Sequence, residues 1–292
     1  EILIGLVGSE MCIRDSRETI RRIAEALRSL YPDREALQIA RILVAERSGL
    51  TPTELLVNPD ETVRIEGLEE QIAALAAGRP LQYVLGYTEF CGLRIGVREG
   101  VLIPRPETEE LVMRIVRQAP PSPTVLDIGT GSGCIAIALD RLIAGAEVHA
   151  VDLSERALAI ACENAAALGS GVRFFRADAL GDLHEAAGRQ YDIIVSNPPY
   201  VPAGDRLAMR RNVTGYEPAE ALFVPDDDPL RFYRAIARSA RRLLRPGGSL
   251  WLEIDERQAE AMHRLLACEA YEAIEIYLDM NDKPRMAWCR NA

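Results

Sequence analysis

From Arg17 onward, apolar residues recur at helical spacing. Ile20, Ile23, Ala24, Leu27 and Leu30 lie on one face, with Arg and Glu between them, the pattern of a helix with one buried stripe. Tyr31-Pro32-Asp33 breaks that helix, and Leu37, Ala40, Leu43 and Val44 start a second face that ends near Gly49. Thr51-Pro52-Thr53-Glu54 reads as a cap, a proline at the first helical position and a nearby acid. Glu66 to Ala77 is amphipathic again and Gly78 closes it. Residues 17–79 are therefore expected to form a small helical unit, either a stabilising appendage or a substrate-docking domain. Residues 80–103 hold short apolar pieces between glycines (Tyr83-Val84-Leu85, Phe90, Leu93–Ile95, Val101–Ile103) and predict a β-hairpin linker. In residues 104–292, strands and helices alternate. Strands are expected at Thr124–Ile128, Glu147–Val151, Val172–Ala177, Tyr191–Val195 and Ser249–Ile254. Helices are expected at Leu111–Gln118, Cys134–Leu142, Glu155–Leu168, Leu230–Leu244 and Gln258–Cys268, and two closing strands near Ala273–Leu278 and Met286–Cys289. That alternation predicts an α/β fold: a Rossmann-like, mostly parallel sheet covered on both faces, with one antiparallel strand at an edge.

Composition narrows what such a fold could serve. At 292 residues and 48% hydrophobic content, the chain can bury one large core and a smaller one. A formal net charge of −10 argues against wide, non-specific nucleic-acid binding. The six cysteines contain no C-x-x-C pair and the three histidines lie far apart, so neither a zinc site nor a disulfide framework is expected. No apolar run spans a bilayer. Residues 1–16 do not follow the pattern of what comes after, and are set apart as extraneous to the fold.

Two loops carry candidate chemistry. Leu126-Asp127-Ile128-Gly129-Thr130-Gly131-Ser132-Gly133 follows the first strand of the α/β part and opens a helix. Glycines there let the backbone approach a ligand closely. Asp152 closes the next strand, where a carboxylate can take both hydroxyls of a ribose. The ligand is a dinucleotide or S-adenosylmethionine. The alternating glycines lack the G-x-G-x-x-G spacing of a dinucleotide loop, and Asp127 suits a cationic ligand, so the methyl donor is favoured. Asp178, after the third strand, either lies against an adenine or caps a turn, and Ala179 follows it.

The second loop is Ser196-Asn197-Pro198-Pro199-Tyr200, directly after the apolar strand Tyr191–Val195. Two prolines cannot continue a strand, because neither has an N–H and both fix φ. The chain must leave the sheet in a stiff turn that carries an amide and an aromatic ring. Such a loop can hold a planar polar group.

Together, Asp-Ile-Gly-Thr-Gly-Ser-Gly and Asn-Pro-Pro-Tyr resemble the class I S-adenosylmethionine-dependent methyltransferases that act on a planar amide or amine nitrogen. Pro80–Gly86, Leu102-Ile103-Pro104-Arg105-Pro106-Glu107-Thr108-Glu109, and Tyr216-Glu217-Pro218 with Ala221-Leu222-Phe223 are similar to the peptide chain release factor N5-glutamine methyltransferases, the HemK/PrmC family. The resemblance runs over residues 17–292 and implies the substrate-docking role for the helical unit. It implies methyl transfer to the glutamine of the Gly-Gly-Gln loop of class 1 release factors, in a bacterial cytosol with an organelle left open, by a monomer with no membrane attachment and no stable nucleic-acid binding. By motif position, Asp127, Gly129, Thr130, Gly131, Ser132, Gly133, Asp152, Asp178, Ala179 and Asn197 would bind S-adenosylmethionine and then its product S-adenosylhomocysteine. Asn197 and Pro198 would hold the glutamine amide, with Pro199 in the same turn, Tyr200 flanking it, and Arg105 and Glu107 either ordering the substrate loop or forming a surface ion pair. No metal is implied. The chain departs from the family pattern at Ala179, where a large aromatic is usual, at Glu253-Ile254-Asp255 and at Asp226-Asp227-Asp228-Pro229. The Asn-Pro-Pro-Tyr loop alone also leaves open an adenine-N6 or guanine-N2 nucleic-acid methyltransferase. A non-catalytic module that binds release factor or ribosome is the third reading.

Overall fold

The computed structural model describes residues 12–181, 183 and 189–292. Residues 1–11, most of the segment set apart above, lie outside the described residues. The chain divides into two compact units, one of residues 12–86 with 211–216 and one of residues 87–210 with 217–292.

The first unit is mainly helical but not wholly so. Strand β1 (Cys12–Asp15) pairs antiparallel with β2 (Thr62–Ile65). Asp15 then accepts a hydrogen bond from the Glu18 N–H and caps helix α1 (Ser16–Leu27). Residues 12–16, which the sequence pattern set aside, are thus placed in a strand and a helix cap. Helices α2 (Asp33–Ser48), α3 (Pro52–Val57) and α4 (Leu68–Ala76) follow, α3 with the capping box expected at Thr51 and Glu54. Tyr83-Val84-Leu85 is helix, not strand, within α5 (Leu81–Leu85). Leu81, Val84 and Leu85 pack at helical spacing against the unit's core, and Gly86 ends the helix at φ +90°, a left-handed position that glycine adopts freely.

The second unit begins with the hairpin β3 (Tyr87–Phe90) and β4 (Leu93–Gly96). The hairpin is fastened within this unit, since Gly96 N–H donates to Asn164 Oδ1 and Asn164 Nδ2 donates to Gly96 O. Helix α6 (Pro106–Gln118) starts earlier than its apolar stripe suggested, because Pro106 occupies the first helical position. Strand β5 (Thr124–Ile128) and helix α7 (Cys134–Leu142) follow, then β6 (Glu147–Asp152), α8 (Glu155–Leu168), β7 (Arg173–Arg176) and β8 (Tyr191–Ser196). After a short parallel pair, β9 (Val201–Pro202) and β10 (Phe223–Val224), come a helix of the other unit, α9 (Arg211–Thr214, which precedes β10 in the chain), then α10 (Arg231–Leu243), β11 (Leu244–Glu253), α11 (Ala259–Cys268), β12 (Glu272–Leu278) and β13 (Pro284–Arg290).

Seven strands form one sheet in the order β12-β13-β11-β8-β5-β6-β7. All pairs from β11 to β7 are parallel, and β13 runs antiparallel to both neighbours. The antiparallel strand therefore lies one place inside the edge, not at it: β12 and β13 form a hairpin and β13 takes the slot beside β11. Every residue of β5 is buried, as a strand covered on both faces requires. From β5 the chain goes to β6 on one side and later to β8 on the other. Ligands of open α/β sheets bind outside the carboxyl ends of the strands at such a switch. Register sets Ile128 beside both Val151 and Ser196, and Ser196 beside Leu252. The residues that end β6, β5, β8 and β11 are thereby brought into one row.

No helix among the described residues is long and apolar enough to cross a membrane. Pro246-Gly247-Gly248 lies inside β11, where the pairing with β8 shifts between Leu244 and Ser249. A Cβ on Gly248 would stand 3.0 Å from Arg245 O, 3.1 Å from Tyr191 O and 3.2 Å from Asp192 O. Backbone carbonyls cannot swing away as a side-chain end can. Gly248→Ala is expected to lower stability by about 1–3 kcal/mol, read as a reduced urea midpoint; an unchanged midpoint would contradict this packing.

Candidate active site

The row of strand ends opens on a cavity of about 460 Å³ that lies wholly within the second unit. On one side Gly129 and Gly131 follow β5 at φ +77° and +56°. The loop is latched to the end of β6: Gly129 and Thr130 N–H groups donate to Val151 O at 2.8 and 3.0 Å, and Gly131 N–H donates to Asp152 Oδ2 at 2.8 Å. A Cβ built on either glycine meets nothing within 4 Å. Both glycines line the cavity, so a side chain on either would take up ligand space.

Asp152 lines the cavity beside them. Its Oδ1 accepts from Ser154 N–H at 2.9 Å. Each carboxylate oxygen thus has one backbone partner and lone-pair capacity left over. Burial pushes the Asp152 carboxyl upward, against these hydrogen bonds. Asp178 and Ala179 also line the cavity, and the Asp178 carboxylate accepts from Leu180 N–H at 2.9 Å, which makes it a turn cap at the cavity wall. Among the described residues the charged side chains lining the space are Asp152, Asp178 and Glu220, all acidic; Phe232 and Ile236 of α10 supply apolar wall.

Asn197, Pro198 and Pro199 line the opposite side. Asn197 Nδ2 donates to Thr108 Oγ1 at 3.3 Å. Thr108, in the first turn of α6, donates to Glu253 Oε2 at 2.6 Å. Tyr200 O–H donates to Glu253 Oε1 at 3.1 Å. Tyr200 does not line the cavity; it packs against the sheet's core, and its hydroxyl ends on Glu253. A half-buried phenol finds such a partner for its polar end. The hydroxyl thus anchors Tyr200 to the end of β11.

Arg105 likewise has a different partner from the one its neighbours suggest. Its Nη2 donates to Glu217 Oε1 at 2.6 Å, while Glu217 Oε2 accepts from Ile103 N–H at 2.9 Å. The Glu217 side chain is 1% exposed and that of Arg105 is 32% exposed, so a half-buried ion pair ties the strand-like approach to α6. Neither Arg105 nor Glu107 lines the cavity. Glu253 and Thr108 were not singled out as site residues from the sequence. Glu253 had a signal: an acid closing an apolar strand, as Asp152 does.

Asp127, Thr130, Ser132 and Gly133 stand behind the cavity wall. Asp127 is fully buried, its Oδ2 accepts from Thr130 Oγ1 at 2.6 Å, and its Oδ1 has no partner. Burial, reinforced by the nearby Asp152 and only partly offset by Thr130, pushes its carboxyl up to about 7.

The arrangement is that of a class I methyltransferase: a seven-stranded sheet with one antiparallel insertion, a glycine loop and acid at the first two strand ends, and Asn-Pro-Pro after the fourth parallel strand. The chain belongs to the release factor glutamine methyltransferases. It is 43% identical to the "Release factor glutamine methyltransferase" of Bacteroides thetaiotaomicron, over 90% of this chain and 96% of that one. It is 41% identical to the protein of the same description from Geobacter sulfurreducens, over 84% of this chain and 87% of the other. Family models described as "PrmC N-terminal domain" and "Methyltransferase small domain" match residues 18–86 and 107–213. A crystal structure of a methyltransferase from Pyrococcus furiosus shares the fold, with a TM-score of 0.53 at 17% identity, covering 69% of this chain and 90% of that one.

The buried Asp127 makes a pH prediction. An unfolded aspartate titrates near 3.9, well below the value in the fold. The contribution of the protonated carboxyl is complete below that lower value and is lost as pH rises through about 7. Asp127→Asn is expected to flatten the fall in folding stability across that window, measured by urea denaturation at a series of pH values. A variant that loses stability with pH as steeply as the parent would contradict the shift.

Proposed function

We propose that this chain transfers a methyl group from S-adenosylmethionine to the side-chain amide nitrogen of the glutamine in the Gly-Gly-Gln loop of a class 1 release factor. One observation carries the reading most directly. The Gly129–Gly131 cradle, Asp152 and the Asn197-Pro198-Pro199 turn all face the same cavity, whose charged lining among the described residues is acidic. An acidic lining disfavours a pyrophosphate and suits a sulfonium and an ammonium. The glycine cradle leaves room for the donor, and the free lone pairs of Asp152 are suited to its ribose hydroxyls. S-adenosylmethionine would supply the electrophilic methyl. Asp127, behind the loop, would offer its unpaired oxygen's negative potential toward the donor's positive end.

A carboxamide nitrogen is a weak nucleophile, because its lone pair is delocalised into the carbonyl. The residues' work is therefore orientation. Asn197 Oδ1 and the Pro198 carbonyl accept the two hydrogens of the glutamine NH₂ and turn the nitrogen's face to the methyl. Neither contact withdraws electron density from the nitrogen, and both favour the positive charge that develops on it. Holding reactants in near-attack geometry is worth roughly 7–11 kcal/mol. No histidine among the described residues lines the cavity, and none is needed; the surplus proton leaves after the nitrogen has been methylated. The first unit would dock the release factor, with the enzyme acting as a monomer in the cytosol.

Asn197→Ala is expected to lower the rate of methylation by about 100-fold or more while leaving calorimetric affinity for S-adenosylmethionine within about threefold. Mass spectrometry of a co-expressed release factor reads the outcome as one added methyl on the Gly-Gly-Gln glutamine, present with the parent and lost with the variant. Near-normal turnover by the variant, or methylation of nucleic acid in place of the release factor, would overturn the reading. Asp152→Ala is expected to weaken cofactor binding by roughly tenfold to a hundredfold; unchanged affinity would remove its ribose role.

A further inference from the structure

Glu253 neither lines the cavity nor reaches it, yet its two carboxylate oxygens hold two points of the acceptor side. We propose that Glu253 is a positioning residue for the methyl acceptor, fixing through Thr108 which way round the Asn197 carboxamide stands. This rests on the reading that Asn197 receives the substrate amide.

The reasoning is a count of protons. An ionised carboxylate only accepts hydrogen bonds, whereas a threonine hydroxyl donates one and can accept others. Thr108 is 2.6 Å from Glu253 Oε2, so its single proton is committed there. Toward Asn197 it can then only accept. The Asn197 atom facing Thr108 must be the NH₂ group, in keeping with the 3.3 Å contact from Nδ2. Oδ1, on the other branch of the carboxamide, is left for the cavity that Asn197 lines. The orientation matters because the substrate also presents an NH₂. An Asn197 turned the other way would set donor against donor. Thr108 is 2% exposed and Glu253 is 1% exposed, so water does not compete for these bonds. Tyr200, on the second carboxylate oxygen, holds the end of the same turn. Burial pushes the Glu253 carboxyl up from its ordinary value; the hydroxyls of Thr108 and Tyr200 on its two oxygens, and then Arg285, act against that and favour the charged form.

A glutamine at 253 breaks this logic while keeping the shape. Its NH₂ can donate to Thr108, which frees the Thr108 proton to point at Asn197 and favours the flipped carboxamide. The test measures kcat on release factor with labelled methyl donor, normalised to the calorimetric cofactor stoichiometry, so that unfolded protein does not count. Glu253→Gln and Thr108→Val are each expected to lower kcat by about tenfold or more, with cofactor affinity unchanged. Thr108→Ser, which keeps the hydroxyl, is expected to stay within about threefold of the parent. A purely structural role would cost thermal stability and active fraction but leave normalised kcat alone. The proposal is overturned if Glu253→Gln and Thr108→Val keep normalised kcat, or if Thr108→Ser loses it as deeply as Thr108→Val. Asn197→Ala, assayed in parallel, separates the two levels. If it keeps activity, the acceptor reading itself fails; if it loses activity while Glu253→Gln does not, only the positioning role fails.

Discussion

A hydroxyl has one proton to give, and Thr108 gives its proton to Glu253. Much of the acceptor side of the cavity depends on that bond. It joins the end of strand β11 to the first turn of α6, and through the Asn197 amide it reaches the turn after β8. Three segments distant in sequence are thereby held together through Thr108 and Glu253, both buried from water. A buried carboxylate is costly unless its oxygens are satisfied, and here Thr108 and Tyr200 satisfy them from two directions. The cost of burial becomes a constraint: the carboxylate tolerates few arrangements of its neighbours, and the observed one leaves the Asn197 oxygen on the cavity side.

The sheet supplies the rest of the geometry. Parallel pairing from β11 to β6 puts the carboxyl ends of four strands at one edge. The switch in chain direction around β5 leaves a crevice between its loop and the turn after β8. The loop after β5 is open because Gly129 and Gly131 carry no side chain, and their N–H groups are pinned to the end of β6 by Val151 O and the Asp152 carboxylate. The turn after β8 is closed and stiff because two prolines fix its course. A permissive, glycine-built wall thus faces a rigid, proline-built one, as suits a site that receives a bulky donor on one side and orients a small amide on the other.

What could be read from the sequence was local. Glycines at 129, 131 and 133, the acid at 152 and the Asn-Pro-Pro turn each announce a backbone demand or a functional group at a strand end, within a few residues of the strand that positions them. The long alternating part of the chain fixed its strands by apolar runs, and α7 and α8 have the bounds that pattern predicted. What escaped was tertiary. Thr108 and Glu253 stand 145 residues apart, and Arg105 and Glu217 stand 112 apart; no spacing rule links them. The sequence sets Arg105 beside Glu107, whereas its guanidinium meets Glu217, and it gives no sign that the Tyr200 hydroxyl ends on Glu253. The short ribbon of β1 and β2 and the one-turn helix α5 lie below the length at which periodicity tells strand from helix. The same limit explains why β13 could not be placed inside the edge. A hairpin pattern shows that two strands pair, not which of them meets the sheet.

The orientation of the Asn197 carboxamide is the point on which the chemistry turns, and hydrogens can be seen directly. Neutron diffraction from crystals of the perdeuterated enzyme would locate them. The expected map shows the Thr108 deuteron on the line to Glu253, two deuterons on the Asn197 atom facing Thr108, and none on the atom facing the cavity. Two deuterons on the cavity-facing atom, with the Thr108 deuteron directed at Asn197, would contradict it.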